Sequence, residues 1–224
     1  MKIGPAEFRR QMCDPKERKI NLFFEGMSGV GKSHWMQQFE TQFSWDVLDV
    51  DTAIAQHHRI APHLSVTSET DTHRLGKWLG SAREMHYRER EQLYLEVEAD
   101  ILRALLATRG YCIALSGSSI YHEQEMTHLQ QKNGMIIYLE SENSDELIGR
   151  YLQDNKPFCW NGAFIPFSGE SEEETVRRIL PKLIESRNAL YRAFADVSIP
   201  KSIHASSQNP RELVEHIATV LGRQ

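Results

Sequence analysis

The chain reads as an α/β protein, a three-layer arrangement with a mainly parallel sheet of about five strands and helices on both faces. Three observations predict this. Short apolar runs recur at 20–24, 46–51, 111–115, 134–139 and 197–199, stretches of helical period separate them, and a glycine-rich loop joins the first run to the first helix. Strands separated by helices pair through crossovers, which favours parallel neighbours and puts ligands at the carboxyl ends of the strands.

The first run, Ile20-Asn21-Leu22-Phe23-Phe24, has the length of a buried strand, and His34 to Phe39 continues as a helix. Between them, residues 26–33 read Gly-Met-Ser-Gly-Val-Gly-Lys-Ser, the G-x-x-x-x-G-K-[ST] phosphate loop. A strand feeding this loop into a helix start aims backbone N–H groups and the positive end of the helix dipole at one point, which suits a triphosphate. Ser28, Gly29, Val30, Gly31, Lys32, Ser33 and His34 are expected to line that point. Gly26 and Gly31 permit positive φ, Lys32 can reach the β- and γ-phosphates, and the Ser33 hydroxyl can ligate Mg²⁺.

The second run, Asp46 to Asp51, alternates like a strand and ends in two carboxylates. One residue apart, Asp49 and Asp51 would share a face and turn toward the loop at the strand end. Asp49 is expected on the metal and Asp51 on an acceptor hydroxyl, orienting it or taking its proton. Residues 58–79 read as irregular. A long helix is expected from Ser81 to Arg109, with Tyr94, Val97, Ile101 and Leu105 on its apolar stripe and Gly110 as its C-terminal stop.

Tyr111 to Leu115 and Gly134 to Leu139 then read as two buried strands, and Ser144 to Leu152 as a helix. The loop after it carries Phe158, Trp160, Phe164 and Phe167, and exposed aromatics there suggest a lid or a contact surface. Ser171-Glu172-Glu173-Glu174 starts an acidic helix, Pro181 is expected to interrupt it, and a second helix runs to about Ala195. Val197 to Ile199 is the last strand, and Pro210 to Leu221 a final amphipathic helix. In the helix after Pro181, Arg187 lies four residues after Leu183 and three before Leu190, so it points inward. A buried guanidinium needs an anion, supplied either by a protein carboxylate or by a substrate. Arg88 is weaker evidence, since Glu84 or Glu91 could pair with it on an exposed helix face.

Composition narrows the function classes. With 40% hydrophobic and 25% charged residues, 224 residues suffice for one good core. A net charge of −5 argues against nucleic acid as the main partner, because phosphate-backbone binding needs a basic surface. Cys13, Cys112 and Cys159 form no C-x-x-C pair, which suggests neither a disulfide framework nor a zinc site and fits a reducing, cytoplasmic setting. The first nineteen residues have no apolar signal region and no run approaches a membrane span; a short helix outside the core is expected there. The histidines, His57-His58 included, follow no ligand spacing. Neither a D-x-x-G nor an N-K-x-D sequence supports a GTPase switch.

Taken in order, the phosphate loop, Asp49-Val50-Asp51 with Ile54, Tyr87-Arg88-x-x-Glu91, the strand and turn from Ile113 to Ile120, Ile137-Tyr138-Leu139, and Arg187-Asn188-Ala189-Leu190-Tyr191 with Ala195-Asp196 resemble the shikimate kinases, P-loop small-molecule kinases, over most of residues 19–222. The resemblance implies that Asp51, Arg88 and Arg187 bind substrate, the two arginines clamping a carboxylate and Asp51 meeting a ring hydroxyl. It also implies Arg150 beside the adenine, the segment Ser206 to Arg211 around it, and a lid with Lys156. Residues 1–18 would be an N-terminal extension to a kinase domain over 19–224, with a substrate-binding insertion at about 52–100 and the lid at about 150–175.

Two departures stand out. Ser116-Gly117-Ser118 replaces three glycines of the family, adding two hydroxymethyl groups where backbone approaches the substrate. Lys156-Pro157 replaces an arginine before proline, keeping the charge and losing the planar fork. The expectation is an ATP- and Mg²⁺-dependent kinase, monomeric or weakly dimeric, acting on a small carboxylated polyol with shikimate foremost. Lys32, Asp51 and Lys156 would be its catalytic residues. A kinase for another polyol or cyclitol, or a nucleotide-binding regulator, is the alternative.

Overall fold

The structure, a computed structural model, describes residues 3–141, 144–154 and 156–223. Its centre is a five-stranded parallel sheet in the order β2-β3-β1-β4-β5, formed by β1 (Asn21–Glu25), β2 (Asp46–Asp49), β3 (Tyr111–Ala114), β4 (Gly134–Leu139) and β5 (Val197–Ile199). Leu22 lies opposite Cys112 and Met135, and Phe23 opposite Ile113 and Ile136. Alternate residues therefore supply two cores. Leu22, Phe24, Cys112, Met135, Ile137 and Leu139 pack under α1 (Pro5–Cys13), α2 (Lys32–Phe43) and α10 (Pro210–Leu221). Phe23, Ile113, Ile136 and Tyr138 pack on the other face under α3 (Val50–Gln56), α4 (Asp71–Leu79), α5 (Tyr87–Leu105) and α8 (Glu172–Phe194). A sheet covered on both faces explains why its strands read as continuous apolar runs.

The helix expected near the N-terminus is α1, and it takes part in the core. Phe8 and Met12 are fully buried, the Met12 carbonyl accepts from Trp45 Nε1 at 3.0 Å, and Arg9 pairs with Glu215 on α10. Four local readings are corrected. The 58–79 stretch contains α4, capped by Thr70 accepting from the His73 N–H and anchored by Leu75 and Leu79. Only two buried anchors and an internal glycine obscured its period. The long helix runs over Tyr87–Leu105, so Gly110, at φ +77°, does not cap it but leads into β3, donating to the Ile20 carbonyl at 3.2 Å. β2 stops at Asp49, whose side chain caps α3 by accepting from the Thr52 N–H, so Asp51 stands in a helical first turn instead of on a strand.

Pro181 does not interrupt its helix. α8 runs unbroken through it from a capping box in which Ser171 and Glu174 satisfy each other's backbone N–H. A proline inside a helix costs about 3 kcal/mol. Here the carbonyl deprived of a partner is that of exposed Arg177, and burial of Val176, Leu180, Leu183, Ile184 and Tyr191 on the same helix outweighs the loss. Between α7 (Ser144–Gln153) and α8, the aromatic loop is largely folded in: Trp160 is buried and stacks edge-on with Tyr151, Phe158 and Phe164, leaving Phe167 exposed. Short α6 (Glu123–His128) and α9 (Lys201–His204) complete the α-helices among the described residues. None of them is long and apolar enough to cross a membrane.

Candidate active site

β1 ends beside β3 and β4 at the middle of the sheet, and the turn that leaves it is the glycine loop. Gly26, Gly29 and Gly31 all have positive φ, at 137°, 82° and 105°. At Gly26 a Cβ would lie 2.7 Å from the Leu139 carbonyl oxygen, so space and backbone both require glycine. Lys32 opens α2 and folds back over the loop, donating to the carbonyls of Gly26 at 2.8 Å and Met27 at 2.9 Å. Burial lowers its pKa to about 8, against the pull of Asp51 and Asp49. One residue on, Ser33 Oγ donates to Asp49 Oδ2 at 2.6 Å, so the end of β2 and the start of α2 are joined directly.

Asp51 sits next to this contact. Its Oδ1 accepts from Tyr94 Oη at 2.6 Å, and burial together with neighbouring Asp49 raises its pKa to about 6, with Tyr94 and Lys32 working against the shift. The Ser116-Gly117-Ser118 turn at the end of β3 reaches the same place, with Ser116 Oγ 2.8 Å from Tyr94 Oη and the Gly117 carbonyl accepting from Tyr191 Oη at 2.7 Å. Both serine hydroxyls are buried and engaged by α5, Ser116 by Tyr94 and Ser118 by Glu98.

Across the loop, Met27, Ser28 and Gly29 share a small cavity with Arg150, Lys156 and Phe158. Lys156 lies 3.8 Å from Asp154. Arg150 also donates to the Gly29 carbonyl and to Glu146. A second cavity of about 230 Å³ continues from Gly29, Val30 and Gly31 past exposed His34 to Arg150, Lys201, His204 and Ser207. It has room for a flat heterocycle at the far end of a phosphate chain.

Arg187 is buried as expected, and among the described residues no protein carboxylate meets it. Its Nε donates to Tyr121 Oη at 2.9 Å, an Nη donates to the Cys159 carbonyl, and the Phe158 and Tyr121 rings lie 4.7 and 5.2 Å from its centre. The Cys159 segment is itself fastened to α5, since Tyr87 Oη donates to the Phe158 carbonyl and the Trp160 and Asn161 N–H groups donate to Glu91. Arg88 is exposed on α5, makes no hydrogen bond or ion pair among the described residues, and faces surface clefts with Glu91, Trp160 and Asn161. Glu84 pairs with Arg90 instead. The structure thus gathers Lys32, Ser33, Asp49, Asp51, Ser116 and Gly117 at one sheet edge, while Arg187 meets the 158–161 segment at Phe158 and Cys159 and Arg88 shares its clefts with Trp160 and Asn161.

Spacing marks Tyr94 only as part of an apolar stripe, Tyr191 enters only through the family motif, and the sequence reading singles out neither Glu98 nor Tyr121, although all four meet site residues. Tyr94 and Glu98 lie four apart on the buried stripe of α5, and a carboxylate on that stripe is the same signal that singled out Arg187.

A parallel sheet whose central strand delivers a glycine loop, a buried lysine and facing carboxylates is the architecture of an ATP-dependent P-loop small-molecule kinase. The family model for shikimate kinase matches residues 28–221. The chain is 25% identical over 203 residues to the shikimate kinase of Mannheimia succiniciproducens, covering 91% of this chain and 95% of the relative. Against that of Pasteurella multocida it is 24% identical over 204 residues, covering 91% and 98%. Among solved structures, Acinetobacter baumannii shikimate kinase in complex with shikimate aligns with a TM-score of 0.56 at 19% identity, covering 96% of each chain. The Bacteroides thetaiotaomicron enzyme aligns at 0.59 and 17% identity, covering 90% of this chain and 98% of its own. The chain belongs to the shikimate kinase family.

Proposed function

We propose that the protein transfers the γ-phosphoryl group of ATP to a hydroxyl of shikimate. The observation that carries this reading is the convergence of Lys32, Ser33, Asp49 and Asp51 at the carboxyl edge of β1 and β2. The loop N–H groups and Lys32, an ammonium below its pKa of about 8, bind the phosphates, and Lys156 adds a second cation from the opposite wall. Asp51, with a pKa raised to about 6, is ionised at neutral pH and closer to the ideal for a general base than a free aspartate, so it aligns the acceptor hydroxyl and receives its proton.

The Ser33 hydroxyl and the Asp49 carboxylate, already in contact, are the hard oxygen donors that magnesium takes, and they would hold it. Bound there, the ion supplies charge neutralisation of the polyphosphate. His34 and Arg150 border the nucleotide, while the turn Ser116, Gly117, Ser118 and the arginines Arg88 and Arg187 stand on the acceptor side.

A second reading, another cyclic polyol as acceptor, is favoured by the engagement of Arg187 with the Cys159 carbonyl. ADP release in the presence of ATP, Mg²⁺ and a panel of shikimate, quinate and neutral cyclitols tests both. Shikimate-dependent release is expected. Release with a neutral cyclitol alone selects the second reading, and tight ATP binding with no release across the panel overturns both in favour of a nucleotide-binding regulator.

A further inference from the structure

Behind Asp51 lies a buried polar assembly that phosphoryl transfer as described above leaves unused. Tyr94 and Glu98 stand one turn apart on α5. Tyr94 Oη donates to Asp51 Oδ1 at 2.6 Å and lies 2.8 Å from Ser116 Oγ, which lies 3.0 Å from Ser118 Oγ. Ser118 Oγ donates to the Glu98 carboxylate at 2.9 Å. Ser119 Oγ and His122 Nε2 also meet that carboxylate, each at 2.9 Å. Glu98 is fully buried, and Tyr94, Ser116, Ser118 and Ser119 are each 3% exposed or less.

A carboxylate withdrawn from water costs several kcal/mol unless its lone pairs find donors. Here all three donors come from one short segment, residues 118–122, so Glu98 ties that segment to α5. The segment continues directly from the Ser116-Gly117 turn at the end of β3. Tyr94, on the same helix face, ties that turn to Asp51. Its single proton belongs to the Asp51 carboxylate, which can only accept, and its oxygen can then accept from Ser116. A leucine at either position would fill the stripe of α5 as well and would hold neither group, so packing alone does not account for the pair.

We propose that Tyr94 and Glu98 are positioning residues of the phosphoryl transfer: from one face of α5 they fix the Asp51 carboxylate and the Ser116–Ser118 turn relative to each other, so that the acceptor hydroxyl meets a single orientation of its base. This rests on the reading of Asp51 and the turn as the acceptor side of the site. The kinetic signature is a fall in kcat with little change in the KM for ATP, because nucleotide contacts lie across the loop from α5.

The test compares Tyr94→Phe, Glu98→Gln, Ser118→Ala and Ser118→Thr in the full chain, using whichever acceptor supports ADP release. Tyr94→Phe keeps the ring and loses one hydrogen bond, and about ten-fold in kcat is expected. Glu98→Gln and Ser118→Ala should fall similarly, Ser118→Thr should recover to within about two-fold, and the Tyr94→Phe/Glu98→Gln double variant should fall less than the product of the singles. Strict additivity, or an unchanged kcat in Tyr94→Phe, overturns the proposal. A second readout needs no turnover: the side-chain ¹³C carboxyl resonance of Asp51, assigned by its loss in Asp51→Asn, should shift in both Tyr94→Phe and Glu98→Gln. A resonance insensitive to Glu98→Gln also overturns it. A chain that releases no ADP with any acceptor but shows the coupled shift defeats the kinase reading and leaves the coupling intact.

Discussion

Glu25 closes β1 one residue before the phosphate loop, 1% exposed, with neither carboxyl oxygen bonded among the described residues. Burial, with repulsion from Asp196, raises its pKa well above the ordinary 4.5, and the attraction of Lys32 opposes this without cancelling it. The folded chain therefore holds a proton that the unfolded chain releases. Stability from this group is complete below the ordinary value and declines as pH rises toward the folded one. Glu25→Met replaces the carboxyl by an apolar chain of similar length. Removing a buried polar group that has no partner should recover about 1–3 kcal/mol, which in a chain of this size is about 2–12 °C in Tm. Calorimetry at about pH 5 and pH 8 should show the wild type losing more Tm between the two than the variant, in which Asp51 still titrates, so that the gap widens at the higher value. A variant less stable than wild type at both, or a gap independent of pH, would mean that the carboxylate is ionised and engaged, and the argument would be refuted.

Lys32→Ala should lower ADP release by about a hundred-fold or more, since it removes the loop's cation, and unchanged turnover would contradict the phosphotransfer mechanism. Arg187→Ala should raise the acceptor KM about ten-fold with a smaller effect on kcat, and should cost about 1–3 kcal/mol of stability because the Cys159 carbonyl loses its donor; steady-state kinetics and thermal melts read the two separately. Gly26→Ala places a Cβ 2.7 Å from a backbone oxygen at φ 137°, so a loss of about 1–3 kcal/mol and weaker ATP binding by calorimetry are expected.

The sheet was legible because buried parallel strands declare themselves as short apolar runs: Gly134–Leu139 and Val197–Ile199 have the bounds read from the chain, as does the final helix. Local signals failed where tertiary contacts decide. Pro181 carries a strong local penalty that the burial of α8 overrides, and α4 depends on two buried leucines and its packing against α3 and α5. In the site, the loop residues could be placed because a strand, glycines and a helix start define their geometry by themselves. The inward direction of Arg187 also followed from spacing. Its partners did not, since a phenol and a backbone carbonyl leave no mark on charge pattern. Ser116 and Ser118 are a related case: spacing shows which residues form a turn, but not that their hydroxyls meet Tyr94 and Glu98.

The uninterrupted course of α8 has a mechanical consequence. Twenty-three residues at 1.5 Å each make a strut of roughly 35 Å, with Ser171 at one end and Arg187 and Tyr191 near the other. Lacking a joint at Pro181, this strut transmits rotation as a unit, and a tilt at the end nearest the aromatic loop swings the guanidinium and the phenol together. Any local rearrangement of the loop that spares the strut must be absorbed upstream of Ser171, where Asn161, Gly162 and Gly169 already hold positive φ.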